Sequence, residues 1–169
     1  MVPGGSLPST PDAERLRRLI LSPAGFWLWR WKSLPLAAFA GLRVERLDDA
    51  AVIVRLPGGW RTQNPFRSTY FAAQAMAAEM STGAPLLVAV AASGASISTL
   101  VTGMEARFLK KLVGEGRFTF DDVAGMRAAV SRAAKTGPPQ TFTARSVARD
   151  PAGEVASEWA LSWSLRRRT

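Results

Sequence analysis

Residues 68–104 constrain the fold of this chain more than any other part of its sequence. They open with an alanine-rich run, 69–81, which consists of good helix formers and meets no helix breaker before Gly83 and Pro85. The run is apolar on nearly every side, which is typical of a helix inside a protein rather than on its surface. The sequence therefore predicts a long buried central helix at about 69–82. Residues 85–92 form either a second buried helix or a continuation of the first past a kink.

One charged residue, Glu79, lies within this apolar stretch. A lone carboxylate in an apolar environment is costly unless it is paired, hydrogen-bonded or protonated. Glu79 is therefore either a functional acid or a structural one. In the structural case we expect it to pair with an arginine such as Arg67 or Arg107, or with helix amides across an interface.

The composition excludes several kinds of active site. The 169 residues include no histidine and no cysteine, so an ordinary zinc site, an iron–sulfur cluster, a Ser-His-Asp triad and a Cys-His dyad are all excluded. We expect no metal, and any catalysis must use carboxylates, hydroxyls, amides, amines or backbone N–H groups.

The chain is strongly basic, with a formal net charge of +9. This charge indicates an anionic partner, such as a phosphorylated cofactor, a membrane surface or nucleic acid, although a role in solubility alone explains it equally well. Trp29-Arg30-Trp31-Lys32 interleaves rings with charge, as single-stranded nucleic-acid binders do, but nucleic acid is the least favoured partner. The sequence shows no signal peptide, and its most apolar runs, 85–92 and 26–42, fall short of a membrane span, so we expect a cytoplasmic protein.

The chain order predicts a single α+β domain. Residues 1–9 form a mobile tail, 10–33 a helical and aromatic arm, and 34–169 the main domain. In the arm, Thr10 caps a helix that ends near Leu21. The three alternating tryptophans Trp27, Trp29 and Trp31 indicate an aromatic cover or a dimer seam, or else a wall for a lipid-like chain or a membrane-surface anchor.

The main domain alternates strand-like segments with helices. Hairpins are predicted at 42–56 and 141–166, extended segments at 97–111 and 117–120, and an extra helix at about 122–135. On the 97–111 segment, Met104, Ala106 and Phe108 should face the core while Glu105 and Arg107 face water. An antiparallel sheet that is solvated on one face must cover something on the other, so this sheet should curl around the central helix.

This arrangement is the hotdog fold, and residues 34–167 resemble hotdog thioesterases of the phenylacetate-degradation type. They resemble still more closely a thioesterase-like branch of that superfamily. In such enzymes an Asn or Gln precedes the helix, a His-Gly pair opens it, and an Asp or Glu follows fifteen residues after the amide. Here Asn64 and Glu79 are fifteen apart, while Tyr70 and Phe71 stand at the His-Gly positions.

The resemblance implies an acyl-CoA thioesterase with a two-sided site at the interface of a homodimer, or of a dimer of dimers. The Phe71 N–H, with Asn64, would face the thioester oxygen, and Tyr70 would donate a hydrogen bond. Glu79 of the other subunit, with a pKa raised by burial, would activate water or attack the carbonyl, and Ser81 and Thr82 would orient water.

No cofactor is implied beyond the coenzyme A of the substrate, whose phosphates basic side chains would bind. Those side chains are Arg61, Arg67, Arg107, Lys110 and Lys111. Because the His-Gly pair is replaced, a non-catalytic acyl-binding or acyl-CoA-binding hotdog protein is the alternative.

Overall fold

A computed structural model describes residues 10–168, so the predicted tail at 1–9 lies outside the described part of the chain. The helices are α1 (Pro11–Leu21), α2 (Pro23–Ser33), α3 (Pro35–Ala40), α4 (Phe71–Ser93) and α5 (Val123–Lys135). The strands are β1 (Arg43–Leu47), β2 (Val52–Leu56), β3 (Ile97–Phe108), β4 (Gly116–Phe120), β5 (Gln140–Arg149) and β6 (Val155–Arg167).

The six strands form one open antiparallel sheet in the order β1-β2-β4-β5-β6-β3. Its concave face packs on α4, and Val52, Phe118, Leu161 and Leu165 are among the fully buried side chains between them. A sheet with one buried face must cover an apolar element, and the apolar α4 is that element. The predicted hotdog fold, a curled sheet around a buried helix, is confirmed.

The central helix α4 is longer than the 69–82 predicted for it. It begins at Phe71 and runs without a break to Ser93, so residues 85–92 continue the first helix rather than forming a second one. Gly83 and Pro85 stay inside the helix because their neighbours Ala84, Leu86 and Ala89 are buried in the core. Tertiary packing thus overrides the weak local propensity of these two residues.

Within residues 10–168, α4 is the one helix that is long and apolar enough to cross a membrane by length and composition. Half of its most apolar window is buried inside the protein, as expected for a core helix.

The N-terminal arm packs on the same core. The Thr10 hydroxyl accepts a hydrogen bond from the Ala13 N–H at 3.3 Å, which confirms the predicted start of α1. A second cap, Ser22, accepts from the Gly25 N–H at 3.2 Å and begins α2 directly after α1 ends. Because each cap satisfies an otherwise unpaired N–H, the two helices can turn sharply over α4.

Strand β3 departs from its predicted burial pattern. It lies at the edge of the sheet and pairs only with β6, and both of its faces are exposed from Thr102 onward. Met104 and Phe108, predicted to face the core, are therefore exposed in the single chain. Alternation along the strand was read as one buried face, but α4 lies under the middle of the sheet and does not reach this edge.

The other predicted elements are confirmed. Asp122 caps α5 by accepting a hydrogen bond from the Gly125 N–H at 2.9 Å. The C-terminal hairpin pairs β5 with β6 across the turn at 150–153.

Candidate active site

An apolar cavity of about 270 Å³ lies between the N-terminal arm and α4. Among the described residues that line it, Glu79 alone carries a charge. Side chains from α1, α2, α4, β3 and β6 complete the lining: Ile20, Phe26, Trp29, Ser33, Leu34, Met80, Gly83, Ala84, Leu86, Leu87, Thr99 and Trp163. A largely apolar concavity with one convergent polar group is the usual form of a small-molecule site.

The Glu79 carboxylate makes no ion pair and accepts no hydrogen bond from any residue between 10 and 168. The partners considered from sequence lie elsewhere: Arg107 pairs with Glu158 at 3.4 Å, and Arg67 lies in the loop before α4. Burial raises the pKa of Glu79 above its ordinary value of 4.5. A carboxyl group with a raised pKa and no partner is suited to accept a proton near neutral pH.

Two neighbours on α4 shape the space around this carboxylate. A Cβ added at Gly83 would lie 3.0 Å from Glu79 Oε1 and 3.6 Å from Trp163 Cη2, so glycine leaves room beside the acid. Thr82 accepts a hydrogen bond from Trp163 Nε1 at 3.1 Å, and this fixes the indole that walls the cavity. The Thr82 hydroxyl also donates to the Glu79 carbonyl oxygen at 3.0 Å.

Asn64 lies in the loop before α4, away from the cavity that Glu79 lines. Its Oδ1 accepts from the N–H groups of Phe66 and Ser68, at 3.0 and 3.2 Å, and from the Ser68 hydroxyl at 3.2 Å. These bonds stabilise a tight turn. They also orient the side chain, and its Nδ2 keeps both donors unused within the described chain.

Tyr70 and Phe71 lie at the start of α4, where both rings are largely exposed and contact each other edge to face, with centroids 4.9 Å apart. Tyr70 is the N-cap residue, but its side chain makes no capping bond. The Phe71 N–H therefore occupies the first helical position, where backbone donors lack intrahelical partners and the helix dipole favours negative charge.

A single chain cannot bring these two halves together. Glu79 is eight residues after Phe71 on the same helix, which separates them by about 12 Å along the helix axis. Groups that act on one carbonyl must lie within about 3 Å of it. Asn64, Tyr70 and Phe71 thus gather at the start of α4, while Glu79 faces the cavity at its middle.

The remaining predicted site residues have the following places. Ser81 faces the sheet, where its hydroxyl contacts the Ala78 carbonyl oxygen at 2.7 Å and Ser146 Oγ at 2.8 Å. Lys110 pairs with Asp150 at 2.6 Å and with Glu154, and Asp150 above all raises its pKa. Arg61 and Arg67 are exposed and form no ion pair within 10–168, and Lys111 lies in the loop after β3.

Reasoning from sequence missed most of the cavity. Trp29 was considered as a wall for a lipid-like chain and does line it, but Leu34, Leu87, Thr99 and Trp163 were not expected there. The available signal for Gly83 was a glycine placed one helical turn after the only acid of the apolar stretch. A basic cluster at the C-terminal end of the described chain, Arg166-Arg167-Arg168, surrounds a hollow together with Ser98 and Lys135.

Known structures share this fold. A protein of unknown function from Pseudomonas aeruginosa, described as a probable thioesterase, is 27% identical, with a TM-score of 0.69 over 92% of this chain and 95% of that one. A second thioesterase from the same organism, solved as a mutant, is 17% identical, with a TM-score of 0.66 over 96% and 100% of the two chains. A thioesterase from Haemophilus influenzae is 12% identical, with a TM-score of 0.62 over 86% and 91%.

These similarities define the chain as a hotdog protein of the thioesterase-like class. Residues 31–163 match the family model described as Domain of unknown function (DUF4442), and the chain belongs to that family. No curated protein sequence matches it.

Proposed function

We propose that the protein hydrolyses an acyl-CoA-like thioester. The observation that carries this proposal is Glu79, a carboxylate on the wall of an apolar cavity that has a raised pKa and no ion-pair or hydrogen-bond partner among residues 10–168. Burying such a carboxylate costs free energy of folding. A role in a reaction inside the cavity would explain why the chain keeps it there. The 27% identical structure described as a probable thioesterase supports the same reaction.

The cavity suits the acyl half of the substrate. Its volume of about 270 Å³ and its lining of leucine and aromatic side chains fit an aliphatic chain of medium length. An acyl chain seated there would hold its thioester carbonyl beside Glu79. The coenzyme A half would lie outside, where Arg61 and Arg67 are free to bind phosphates, whereas Arg107 and Lys110 are engaged in ion pairs.

A complete site requires two copies of the chain. The 12 Å between Phe71 and Glu79 rules out their joint action within one helix, but two antiparallel α4 helices would bring Phe71 of each copy to Glu79 of the other. The unpaired β3 edge, with exposed Leu100, Met104 and Phe108, offers a surface on which two copies can pair strand to strand. Such a homodimer, alone or doubled into a tetramer, has two equivalent sites.

The proposed reaction uses these groups in the following order. Glu79 takes a proton from water, and the resulting hydroxide attacks the thioester carbonyl carbon. The Phe71 N–H and Asn64 Nδ2 of the other copy stabilise the oxyanion, aided by the dipole of α4. The C–S bond breaks, the thiolate takes up the proton, and a carboxylic acid and free coenzyme A are released. Tyr70 lies where it can donate a further hydrogen bond to the carbonyl, and no metal enters this scheme.

Thiol release from acyl-CoA substrates of short, medium and long chain tests the proposal. We expect turnover with an optimum at medium length, and a loss of about 100-fold or more in Glu79→Gln, the scale of a missing general base. Asp121→Asn, which removes an exposed carboxylate in the loop between β4 and α5, is the control and should retain full activity. Equal activity of the wild type and Glu79→Gln would refute the assignment.

The alternative is a non-catalytic acyl-binding protein. The exposed Phe71 ring at the helix start favours it, because a bulky side chain there narrows the approach to the N–H that would bind the oxyanion. This function predicts saturable binding of an acyl-CoA by a folded protein with no thiol release above background.

A further inference from the structure

Helix α2 is apolar on two opposite faces, but the described chain covers only one of them. The inner face contributes Phe26 and Trp29 to the cavity wall. The outer face presents Trp27, Leu28 and Trp31 to solvent, with the rings of the two tryptophans in edge contact at 6.4 Å. A helix that is hydrophobic on all sides is normally buried, so the outer face of α2 lacks a partner within residues 10–168.

More exposed apolar side chains follow α2 along the chain. Leu34 and Leu36 follow it along the chain, and Phe39 of α3 contacts Trp60 edge to face with centroids 5.8 Å apart. We call these seven exposed side chains the aromatic face: Trp27, Leu28, Trp31, Leu34, Leu36, Phe39 and Trp60. Large exposed apolar surfaces of this kind mark sites of interaction.

The segment of the chain that carries most of the aromatic face is basic. Residues 15–44 contain six Lys or Arg and no Asp or Glu. Arg15, Arg18, Lys32 and Arg43 among them are exposed. Apolar and tryptophan side chains bordered by exposed cations are the features of segments that lie in the interface of an anionic membrane.

We propose that the aromatic face docks the protein on the surface of an anionic lipid bilayer. A second copy of the chain is a poorer partner for this particular face, because pairing two such faces would bring their basic residues together. An anionic lipid surface instead matches both the apolar surface and the charge. The many tryptophans fit the same partner, since indole rings concentrate at the boundary of lipid and water.

Docking would also bring the cavity to the membrane. Leu34 belongs both to the aromatic face and to the cavity lining, and Trp29 lies on the opposite side of the same helix. An acyl chain that leaves the bilayer could therefore reach the cavity along α2 without crossing bulk water. This inference stands on the exposed surface and its charge, and it holds whether or not Glu79 is catalytic.

Vesicle co-sedimentation of the full chain tests the proposal. One set of vesicles contains phosphatidylcholine alone and the other contains phosphatidylcholine with a quarter of phosphatidylglycerol. We expect binding to the anionic vesicles at least tenfold tighter than to the neutral ones, and weaker at 0.5 M than at 0.1 M salt because screening reduces the electrostatic part. Absence of binding to anionic vesicles overturns the proposal.

Two double variants isolate the aromatic face. Trp27→Ser/Leu28→Ser removes side chains that are 54% and 67% exposed, and Leu109→Ser/Val113→Ser removes side chains that are 51% and 60% exposed in the loop after β3. We expect the first to lose at least tenfold in vesicle affinity and the second to keep it, with equal thermal unfolding of both. Equal loss in both, or no loss in the first, overturns the proposal.

Two further readouts exclude the other occupants. If the first variant only lowers the molecular mass in sedimentation equilibrium, the face joins copies of the chain and the proposal is wrong. If the wild type binds a single-stranded oligonucleotide more tightly than anionic vesicles, and the first variant loses that binding, the partner is nucleic acid and the proposal is equally wrong.

Discussion

At the scale of the residue, Glu79 and Arg30 are ionisable groups placed where burial disfavours their charge. Burial raises the pKa of Glu79 and, together with the positive charge of Arg43, lowers that of Arg30. Glu79 opens onto a cavity, whereas Arg30 is only 3% exposed and its Nη1 has no partner within the described residues. The proposed reaction explains the burial of Glu79. The burial of Arg30 has no such explanation and should destabilise the fold.

The raised pKa of Glu79 predicts how stability depends on pH. An acid whose pKa is higher in the folded state than in the unfolded state lowers the free energy of unfolding once the unfolded chain begins to ionise. This destabilisation is absent well below pH 4.5 and grows as the pH rises above that value. It is complete above the raised pKa of the folded state. We expect Glu79→Gln to unfold at higher urea concentration than the wild type at pH 7.5, with the difference vanishing at pH 3.5. A constant difference between the two pH values would contradict this account.

Arg30 offers a separate test of burial. Its guanidinium lies 4.9 Å from the centroid of the Phe26 ring, and its Nε donates to the Phe26 carbonyl oxygen at 3.4 Å. Replacing a buried charge that lacks some of its hydrogen bonds with an apolar side chain of similar size often makes the folded protein more stable. We therefore expect Arg30→Met to raise the free energy of unfolding by about 1 kcal/mol. Lys32→Met, at an exposed position on the same helix, should change it by less than about 0.5 kcal/mol. Urea unfolding at pH 7.5 measures both.

At the scale of the element, α4 contains two residues that helices normally avoid. Pro85 supplies no backbone N–H, and Gly83 lacks a side chain to stabilise the helix, but the surrounding core keeps the helix intact. Gly83 has a second role, since its missing Cβ leaves the space in which the Glu79 carboxylate lies. Helix stability and access to the acid are therefore opposed at this position.

Gly83→Ala separates these two effects. The added methyl group should raise the free energy of unfolding by about 0.5–1 kcal/mol through helix propensity. It should also displace Glu79 Oε1, which would otherwise lie 3.0 Å away, and lower kcat/KM roughly tenfold. Urea unfolding measures the change in the free energy of unfolding, and thiol release measures the change in kcat/KM. In the Glu79→Gln background the same substitution should keep its effect on stability and leave the residual rate unchanged.

The elements themselves could largely be predicted from the sequence. The elements are predictable because their signals are local in the sequence. These signals are the helix caps at Thr10 and Asp122 and the apolar helix around Glu79. The exposure of Met104 and the lining of the cavity were not predictable, since they depend on where separate elements meet in space. The resemblance to hotdog thioesterases linked Asn64 to Glu79, but in one chain Asn64 lies before the start of α4 and Glu79 lies near its middle.

In the whole molecule, the proposed active site requires two copies that pair through the β3 edge. Met104→Lys places a charge in the middle of this exposed edge, which is how natural edge strands avoid pairing. We expect the variant to have half the molecular mass of the wild type in sedimentation equilibrium and to lose activity in proportion. Thr143→Lys, on the exposed face of the interior strand β5, is the matched control and should stay dimeric and active.

Mixing two inactive variants tests whether the active site is shared between two copies of the chain. Phe71→Pro removes the N–H proposed to bind the oxyanion, and the first helical position tolerates proline. With Glu79→Gln it forms mixed dimers in which one of the two sites is intact. Each variant alone should be at least ~100-fold less active than the wild type.

If the site is shared, the mixture should recover about a quarter of the wild-type rate. Half of the dimers are then mixed, and each mixed dimer has one working site out of two. If mixed dimers form, as shown by two different affinity tags, and the rate stays at the level of the separate variants, the shared site does not exist.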